Sequence, residues 1–167
     1  MNADIFTLAR KLMKKYRTND PYRLADYLGI VIRYFRCSKL KGMYRMIDGI
    51  NFIWLNEALD EITMRIVLMH EIGHYLLHRD LAVNAFQEFT LYDMTGKTEK
   101  EANVFAANML LSDKEIIELA EYGYTSAQAA AVMYVPHQLM LIKIEDMIDR
   151  GFTLYLSEEI RSDFLAY

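Results

Sequence analysis

The chain has 167 residues, 53% of them hydrophobic, and a single cysteine, Cys37. This length and apolar content predict one globular domain and exclude a chain that is disordered throughout. No apolar run approaches the roughly 18 residues of a membrane span, and the N-terminus has no signal-peptide core, so we expect no membrane partner. One cysteine excludes an internal disulfide, which favours a reducing, cytoplasmic location.

The formal net charge of −4 is unevenly distributed, because residues 1–45 carry +8 and residues 46–167 carry −12. A basic segment of this kind can contact nucleic acid or an acidic partner. Its lysines and arginines, however, are interspersed with core-forming hydrophobic residues rather than gathered in one run. We therefore interpret them as the solvated face of a small helical element, and we do not expect direct nucleic-acid binding.

Two helices and a small sheet are predicted in the first third of the chain. Hydrophobic spacing and capping residues predict helices over 5–16 and about 21–28. Three β-rich segments follow, and Asp48-Gly49 between the last two is a typical hairpin turn. We expect a small, antiparallel sheet of about three strands. Its segments cover 30–37, 43–47 and 50–55.

The remainder of the chain is predicted to be helical, interrupted by one long loop. A helical pattern runs over about 59–78, whereas residues 80–97 have no clear period and are predicted to form a loop of a length that is often functional. Val135-Pro136 begins the last helix. Three further helices are expected to start with capping boxes: Thr98 with Glu101, Ser112 with Glu115, and Thr125 with Gln128.

The pattern that carries chemistry is HEIGH, residues 70–74, inside the predicted helix. Residues four apart project from one face of a helix about 6 Å apart, so His70 and His74 can hold a single Zn²⁺. Glu71 can reach a water on that metal without ligating it, which suits a general base. Gly73 costs the helix about 1 kcal/mol relative to alanine, and we expect another backbone to approach closely there.

A catalytic zinc site needs a third protein ligand and one open position. His78 stands about 12 Å beyond His70 on a straight helix, and we interpret it as a helix-end residue that interacts with the C-terminal dipole. Glu101 is interpreted as a capping partner. Glu99 is the preferred ligand, because Asn103 one turn later can hydrogen-bond a ligating imidazole. Glu101 and His78 stay open as alternative ligands.

The segments HEIGHYLLH (70–78) and EKEANVFAANMLL (99–111) resemble the ImmA/IrrE-type metallopeptidases of bacteria and their mobile elements. The pattern of that family is HExxHxxxH followed by ExxAN/D-x-FAA-x-LL-x-P, and Ser112 stands where its proline usually lies. The resemblance covers roughly residues 5–150. It implies an α+β, zincin-like fold in which a small sheet packs against a mainly helical body around the HExxH helix, and it implies Glu99 as the third ligand of one zinc ion per chain.

We accordingly expect one zincin-like metallopeptidase domain over 1–151, followed by a tail over 152–167. Its parts are a basic helical segment, the small sheet, the zinc-site helices with their loop, and a helical C-terminal part. These parts cover 1–29, 30–56, 59–111 and 112–151.

The same resemblance implies a zinc-dependent endopeptidase that cleaves, or otherwise inactivates, a helix-turn-helix repressor of a phage, a mobile element or a stress regulon. The alternative is a regulatory, DNA-binding or repressor-sequestering protein that keeps the fold without proteolysis. A substrate peptide is expected to add as an extra strand along the third β-rich segment through backbone hydrogen bonds. The residues of that segment are Ile50, Asn51, Phe52, Ile53, Trp54 and Leu55.

Overall fold

The computed structural model describes residues 2–79, 86–88 and 96–154. These residues form seven helices and one four-stranded sheet, a mainly helical architecture that confirms the predicted α+β class. The helices are α1 (Asn2–Tyr16), α2 (Pro21–Tyr27), α3 (Glu61–Leu77), α4 (Lys97–Leu110), α5 (Asp113–Glu121), α6 (Ser126–Val132) and α7 (His137–Asp149). The strands are β1 (Val31–Phe35), β2 (Gly42–Ile47), β3 (Ile50–Asn56) and β4 (Phe86–Glu88). None of the described helices is long and apolar enough to cross a membrane.

The sheet is mixed and has the strand order β1-β3-β2-β4. β2 and β3 form the predicted antiparallel hairpin, and Asp48 and Gly49 in its turn have φ of 49° and 79°, as a type I′ turn requires. The predicted all-antiparallel, three-stranded sheet is corrected in two respects, because β1 pairs with β3 in parallel and β4 adds a strand beside β2. The connection over 36–41 leads from β1 to β2 and leaves one strand position open between them. The hairpin then places β3 in that position, between β1 and β2.

β3 therefore lies in the interior of the sheet rather than at an edge. It pairs with β1 on one side and with β2 on the other. Over residues 52–55 both sides of its backbone are used within the sheet, so the structure contradicts the predicted peptide pairing for these residues; among the described pairings, Ile50 and Asn51 pair with β2. The terminal strands of the described sheet are β1 and β4.

Helix α3 occupies the centre of the domain. The side chain of Asp60 caps its first turn by accepting a hydrogen bond of 2.9 Å from the backbone N–H of Thr63. Every residue from Ile66 to His74 is buried, since α4 packs on one side of the helix and β2 and β3 pack on another. A helix that is buried all round is a core element. The predicted central position of the HEIGH helix is thus confirmed.

Helices α3 and α4 approach each other closely at Gly73. A Cβ at this position would lie 3.2 Å from Ala102 Cα and 3.3 Å from Ala102 O. A larger residue would push the two helices apart, so the close packing offsets the cost of about 1 kcal/mol that glycine imposes on a helix. The close approach expected from this glycine is confirmed, and the approaching backbone is that of α4.

Two of the three predicted capping boxes are absent. Gly96 is the N-cap of α4, so Thr98 lies inside the helix and Glu101 is not its capping partner. Ser112 is the N-cap of α5, but its side chain makes no capping hydrogen bond. Thr125 forms the predicted box at the start of α6. Glycine occurs at N-cap positions but has no side chain that could mark the start of a helix. The sequence pattern therefore points to the nearest threonine, Thr98.

Most of the predicted loop over 80–97 lies outside the described residues. Its described part includes β4, which pairs antiparallel with the start of β2, so residues 86–88 are a strand rather than loop. A strand of three residues is too short to show a period in the sequence. The predicted tail over 152–167 is described only as far as Leu154.

A buried ionic cluster joins α4, α5 and α7. Asp113 at the start of α5 pairs with Lys143 and accepts two hydrogen bonds from Arg150, at 2.8 and 3.1 Å. Arg150 also donates to Asp146 at 2.8 Å, and Lys143 donates to Asn108 at 2.6 Å. Lys143 is only 1% exposed. The cluster holds the C-terminal end of α4. The first turns of the same helix pack against α3.

Replacing Asp113 with asparagine is expected to lower the free energy of unfolding by about 3 kcal/mol, because Lys143 and Arg150 stay buried and lose a shared carboxylate. Urea unfolding at pH 7 measures the loss. The matched control Glu118→Gln removes one partner of the exposed Lys114–Glu118 pair and is expected to cost less than about 1 kcal/mol. Equal losses in the two variants would contradict a structural role for the cluster.

The same variant has an expected pH dependence. Burial raises the pKa of Asp113, but hydrogen bonds from Arg150 and Lys143 outweigh it, so this pKa lies below its ordinary value of 3.8. A carboxylate with a lowered pKa stabilises the fold above the unfolded value and loses that effect as the pH falls through the folded value. The stability difference between the wild type and Asp113→Asn should therefore be full at neutral pH and shrink below pH 3.8.

Candidate metal centre

Two histidines of α3 and one glutamate of α4 converge where these helices cross. His70 Nε2 lies 3.0 Å from His74 Nε2. Glu99 Oε2 is 3.2 Å from His70 Nε2, and Glu99 Oε1 is 3.3 Å from His74 Nε2. The structure thus brings together the three residues that the sequence nominates as metal ligands. Within the described part of the chain, they are the group of His, Cys, Asp and Glu side chains placed to hold a metal ion.

The donor atoms and their spacing fit a zinc ion. Tetrahedral Zn²⁺ with N and O ligands at about 2.0–2.1 Å separates its ligand atoms by about 3.3–3.4 Å. The three observed separations, 3.0 to 3.3 Å, are close to this value. Two imidazoles and one carboxylate leave a fourth position for water, as in catalytic rather than structural zinc sites. Both histidines are buried, whereas the Glu99 side chain is 26% exposed, so solvent reaches the cluster beside Glu99.

Asn103 orients the first of the two rings. His70 Nδ1 lies 2.9 Å from Asn103 Oδ1. An amide oxygen only accepts, so Nδ1 carries the proton and the neutral ring keeps its Nε2 lone pair for a metal. Asn103 is buried on α4, one turn after Glu99. The structure therefore places this residue where the sequence suggests a side chain that hydrogen-bonds a ligating imidazole.

The second ring contacts a pair of residues whose arrangement the sequence reasoning missed. His74 Nδ1 is 3.2 Å from His78 Nδ1, and His78 Nε2 is 2.8 Å from Glu101 Oε2. His78 is the C-cap of α3, as predicted, but its ring lies between His74 and Glu101. Neither His78 nor Glu101 belongs to the converging cluster of ligand atoms. The signal that could have found the pair is the repeat of histidine at 70, 74 and 78 along one helix face.

Burial and mutual contact keep the cluster in the protonation states that a metal requires. Burial, reinforced by the neighbouring His70, lowers the pKa of His74 to about 4, although Glu99 acts in the opposite direction. His74 is therefore neutral at pH 7 and its lone pair is available. Burial raises the pKa of Glu99, but its close contacts with the His70 and His74 rings outweigh burial and hold this pKa well below the usual range. Glu99 is accordingly an anion at neutral pH.

Glu71 is fully buried and faces the start of β2. A Cβ on Gly42 would clash with Val67 Cγ1 and lie 3.0 Å from Glu71 Oε1, so glycine at this position leaves room for both side chains. Asn56 shapes the connection that leads into Gly42, because its Nδ2 donates to the carbonyls of Cys37 and Leu40 at 2.6 and 2.8 Å. The start of β2 thus limits the space around the side chain of Glu71. The neighbouring ligand His70 is instead oriented by Asn103 of α4.

The comparisons with known proteins agree with this geometry. Residues 25–145 match the sequence model of a peptidase family, M78, described as the IrrE N-terminal-like domain. The chain is 33% identical over 135 residues to "Uncharacterized immunity region protein 2" of Bacillus phage phi105, which covers 80% of this chain and 85% of the phage protein. It is 30% identical over 132 residues to "Metallopeptidase ImmA" of Bacillus subtilis strain 168, which covers 76% of each protein.

Proposed function

Because the chain belongs to the M78 family of IrrE N-terminal-like metallopeptidases, we propose that it is a zinc-dependent endopeptidase that cleaves or inactivates a helix-turn-helix repressor. The observation that carries the zinc assignment is the convergence of His70 Nε2, His74 Nε2 and the Glu99 carboxylate within 3.0 to 3.3 Å. This set of two imidazoles and one carboxylate suits a catalytic zinc. We assign His70, His74 and Glu99 as the ligands of one ion per chain.

Each residue of the centre has a distinct part in the proposed reaction. Zinc, when bound, supplies a Lewis acid that makes water more acidic and polarises the scissile carbonyl. Glu71 takes the proton of the attacking water on a carboxylate oxygen and passes it to the leaving amine. Its carboxylate lies beside Gly42, at the start of β2. Asn103 holds the ring of His70, so that the Nε2 lone pair stays aimed at the cluster.

The substrate peptide is assigned to a terminal strand of the sheet. Residues 52–55 of β3 are excluded because they are paired on both sides. β4 is one of the two terminal strands, and it contacts α3, the helix of the metal centre. A peptide that pairs with β4 gains backbone hydrogen bonds that do not depend on its sequence, and it runs near the centre. β4 thus takes the place that the sequence pattern assigns to residues 50–55.

Two observations support a repressor as the substrate. The first is the resemblance in the HEIGHYLLH and EKEANVFAANMLL segments to the ImmA/IrrE type. The second is that one relative is named as an immunity region protein of a phage and another as a metallopeptidase. A repressor works on intracellular DNA, so this substrate requires the enzyme to act in the cytoplasm.

The test is to incubate the purified protein with the purified helix-turn-helix repressor encoded beside it. We expect two fragments whose summed mass exceeds that of the repressor by one water, measured by intact-protein mass spectrometry. Adding 1,10-phenanthroline should stop the reaction, and excess zinc should restore it. A repressor that is bound but stays intact would overturn proteolysis and favour the sequestering alternative.

A further inference from the structure

His78 and Glu101 form a hydrogen-bonded pair beside the metal centre that the proposed reaction does not use. Their side chains are mostly buried, at 6% and 15% exposure. The ring of His78 bridges from Glu101 on α4 to His74 on α3, with separations of 2.8 and 3.2 Å. We propose that His78 and Glu101 are positioning residues that fix the tautomer and the ring orientation of His74 for metal binding. This inference rests on the proposed zinc site.

The direction of the hydrogen bonds follows from the carboxylate. Glu101 Oε2 only accepts, so His78 Nε2 donates to it. When His74 Nε2 ligates a metal, the proton of that ring lies on Nδ1, and His78 Nδ1 accepts it across 3.2 Å. His74 is thereby held as the tautomer whose Nε2 lone pair faces His70 and Glu99. One set of protons thus accounts for both separations, from Glu101 to His78 and from His78 to His74.

The arrangement resembles the carboxylate–histidine–zinc arrangement of many zinc sites, with one additional imidazole between the carboxylate and the ligating histidine. A ligating histidine commonly donates its other N–H to a carboxylate, which fixes the ring and strengthens the ligand. Here the carboxylate of Glu101 acts through the imidazole of His78 rather than directly. On the other side of the centre, Asn103 does the same for His70 in a single step. Both histidine ligands are thus oriented from α4, the helix that also carries Glu99.

His78 is suited to this task by its place at the end of α3. It is the C-cap, and its backbone N–H still donates to His74 O at 2.9 Å, so the two rings stay one helical turn apart. Its φ of −131° departs from the helical value, and the chain leaves the helix there. A leucine at position 78 would keep the size of the side chain and remove both nitrogen atoms.

The test compares zinc affinity in His78→Leu, Glu101→Leu and the double variant. We expect the Kd for zinc, measured by competition with a chromophoric chelator, to rise by about 10- to 100-fold in each single variant. Because the pair acts as one chain, the double variant should bind about as weakly as either single variant rather than showing the product of the two effects. The visible absorption bands of the cobalt-substituted protein should shift, since they report the ligand field directly.

Three controls separate positioning from a merely structural role. His78→Gln keeps one acceptor and one donor in the side chain, so it should recover most of the zinc affinity. Lys97→Ala removes the 4.0 Å ion pair of Glu101 with Lys97 and should leave the Kd within about twofold of the wild type. Unfolding of each variant with chelator present reports the stability of the metal-free fold. A positioning role predicts affinity losses that do not follow that stability.

The possible outcomes distinguish this inference from the zinc assignment. A wild-type protein that binds no zinc would overturn both. A wild type that binds zinc while His78→Leu has a Kd within twofold of it, with unchanged cobalt bands, would overturn the positioning role alone. Losses that multiply in the double variant would show two independent contributions and would likewise overturn the chain from Glu101 through His78 to His74.

Discussion

Replacing Glu71 with glutamine is expected to reduce the rate of repressor cleavage by about 10²- to 10⁴-fold, the usual contribution of a general base. Glutamine has nearly the same size, so it fits the buried position beside Gly42 where a larger residue would not. It has no basic oxygen to accept the proton of the attacking water. The effect should fall on kcat, because the substrate and the metal are bound by other groups.

The measurement pairs cleavage rates with zinc content. Glu71→Gln should retain about one zinc per chain and a melting temperature near that of the wild type, since Glu71 is not among the three converging ligand residues. Glu61→Gln is the matched control, because Glu61 lies on the same helix in its exposed first turn. Its rate should stay within about twofold of the wild type, as expected for a surface substitution. A wild-type rate in Glu71→Gln would refute its assignment as the base.

The central part of the site can be predicted from the sequence because it depends on local geometry. Residues at i and i+4 share a helix face whatever the rest of the fold does, so their spacing alone pairs His70 with His74. The glycine between them correctly indicates a close approach. Asn103 can be placed next to an imidazole by the same one-turn argument, once Glu99 is taken as a ligand.

Contacts between distant segments cannot be predicted in the same way. The spacing of three residues from Thr98 indicates Glu101 as a capping partner, yet α4 begins at Lys97 with Gly96 as its N-cap. The carboxylate of Glu101 is therefore available for His78, which lies 23 residues earlier in the chain. The capping pattern reports the start of a helix and does not indicate what packs against that helix.

The sheet shows a similar limit. Turn chemistry predicts the hairpin of β2 and β3, since Asp48-Gly49 determines a two-residue turn. Nothing in β1 indicates that it pairs with β3 rather than with β2, its neighbour in sequence. That choice depends on the reach of the connection over 36–41 and on packing between segments that are distant in the sequence, such as α2 against β1. The wrong assignment of residues 52–55 to a substrate edge follows from this one missing fact.

Replacing His74 with alanine is expected to abolish stoichiometric zinc binding. The variant removes one of three protein ligands, and even the loss of a group that only orients a ligand costs about 10- to 100-fold in affinity. We therefore expect a Kd raised by well over 100-fold, and less than about 0.1 zinc per chain after dialysis, measured by plasma mass spectrometry. His137→Ala is the matched control, since His137 lies on α7 and contacts Ser126 rather than the cluster. It should keep about one zinc per chain.

A second readout of the same variant separates metal loss from damage to the fold. Zinc that binds only the folded wild type should stabilise it by about 2.7 kcal/mol when its free concentration is 100 times the Kd. The same zinc should leave the melting temperature of His74→Ala unchanged, whatever stability the variant has lost through its missing buried ring. Full zinc content in His74→Ala, or an equal zinc-dependent shift in its melting temperature, would show that the metal is held elsewhere. Such a result would remove the basis for assigning His70, His74 and Glu99 as its ligands.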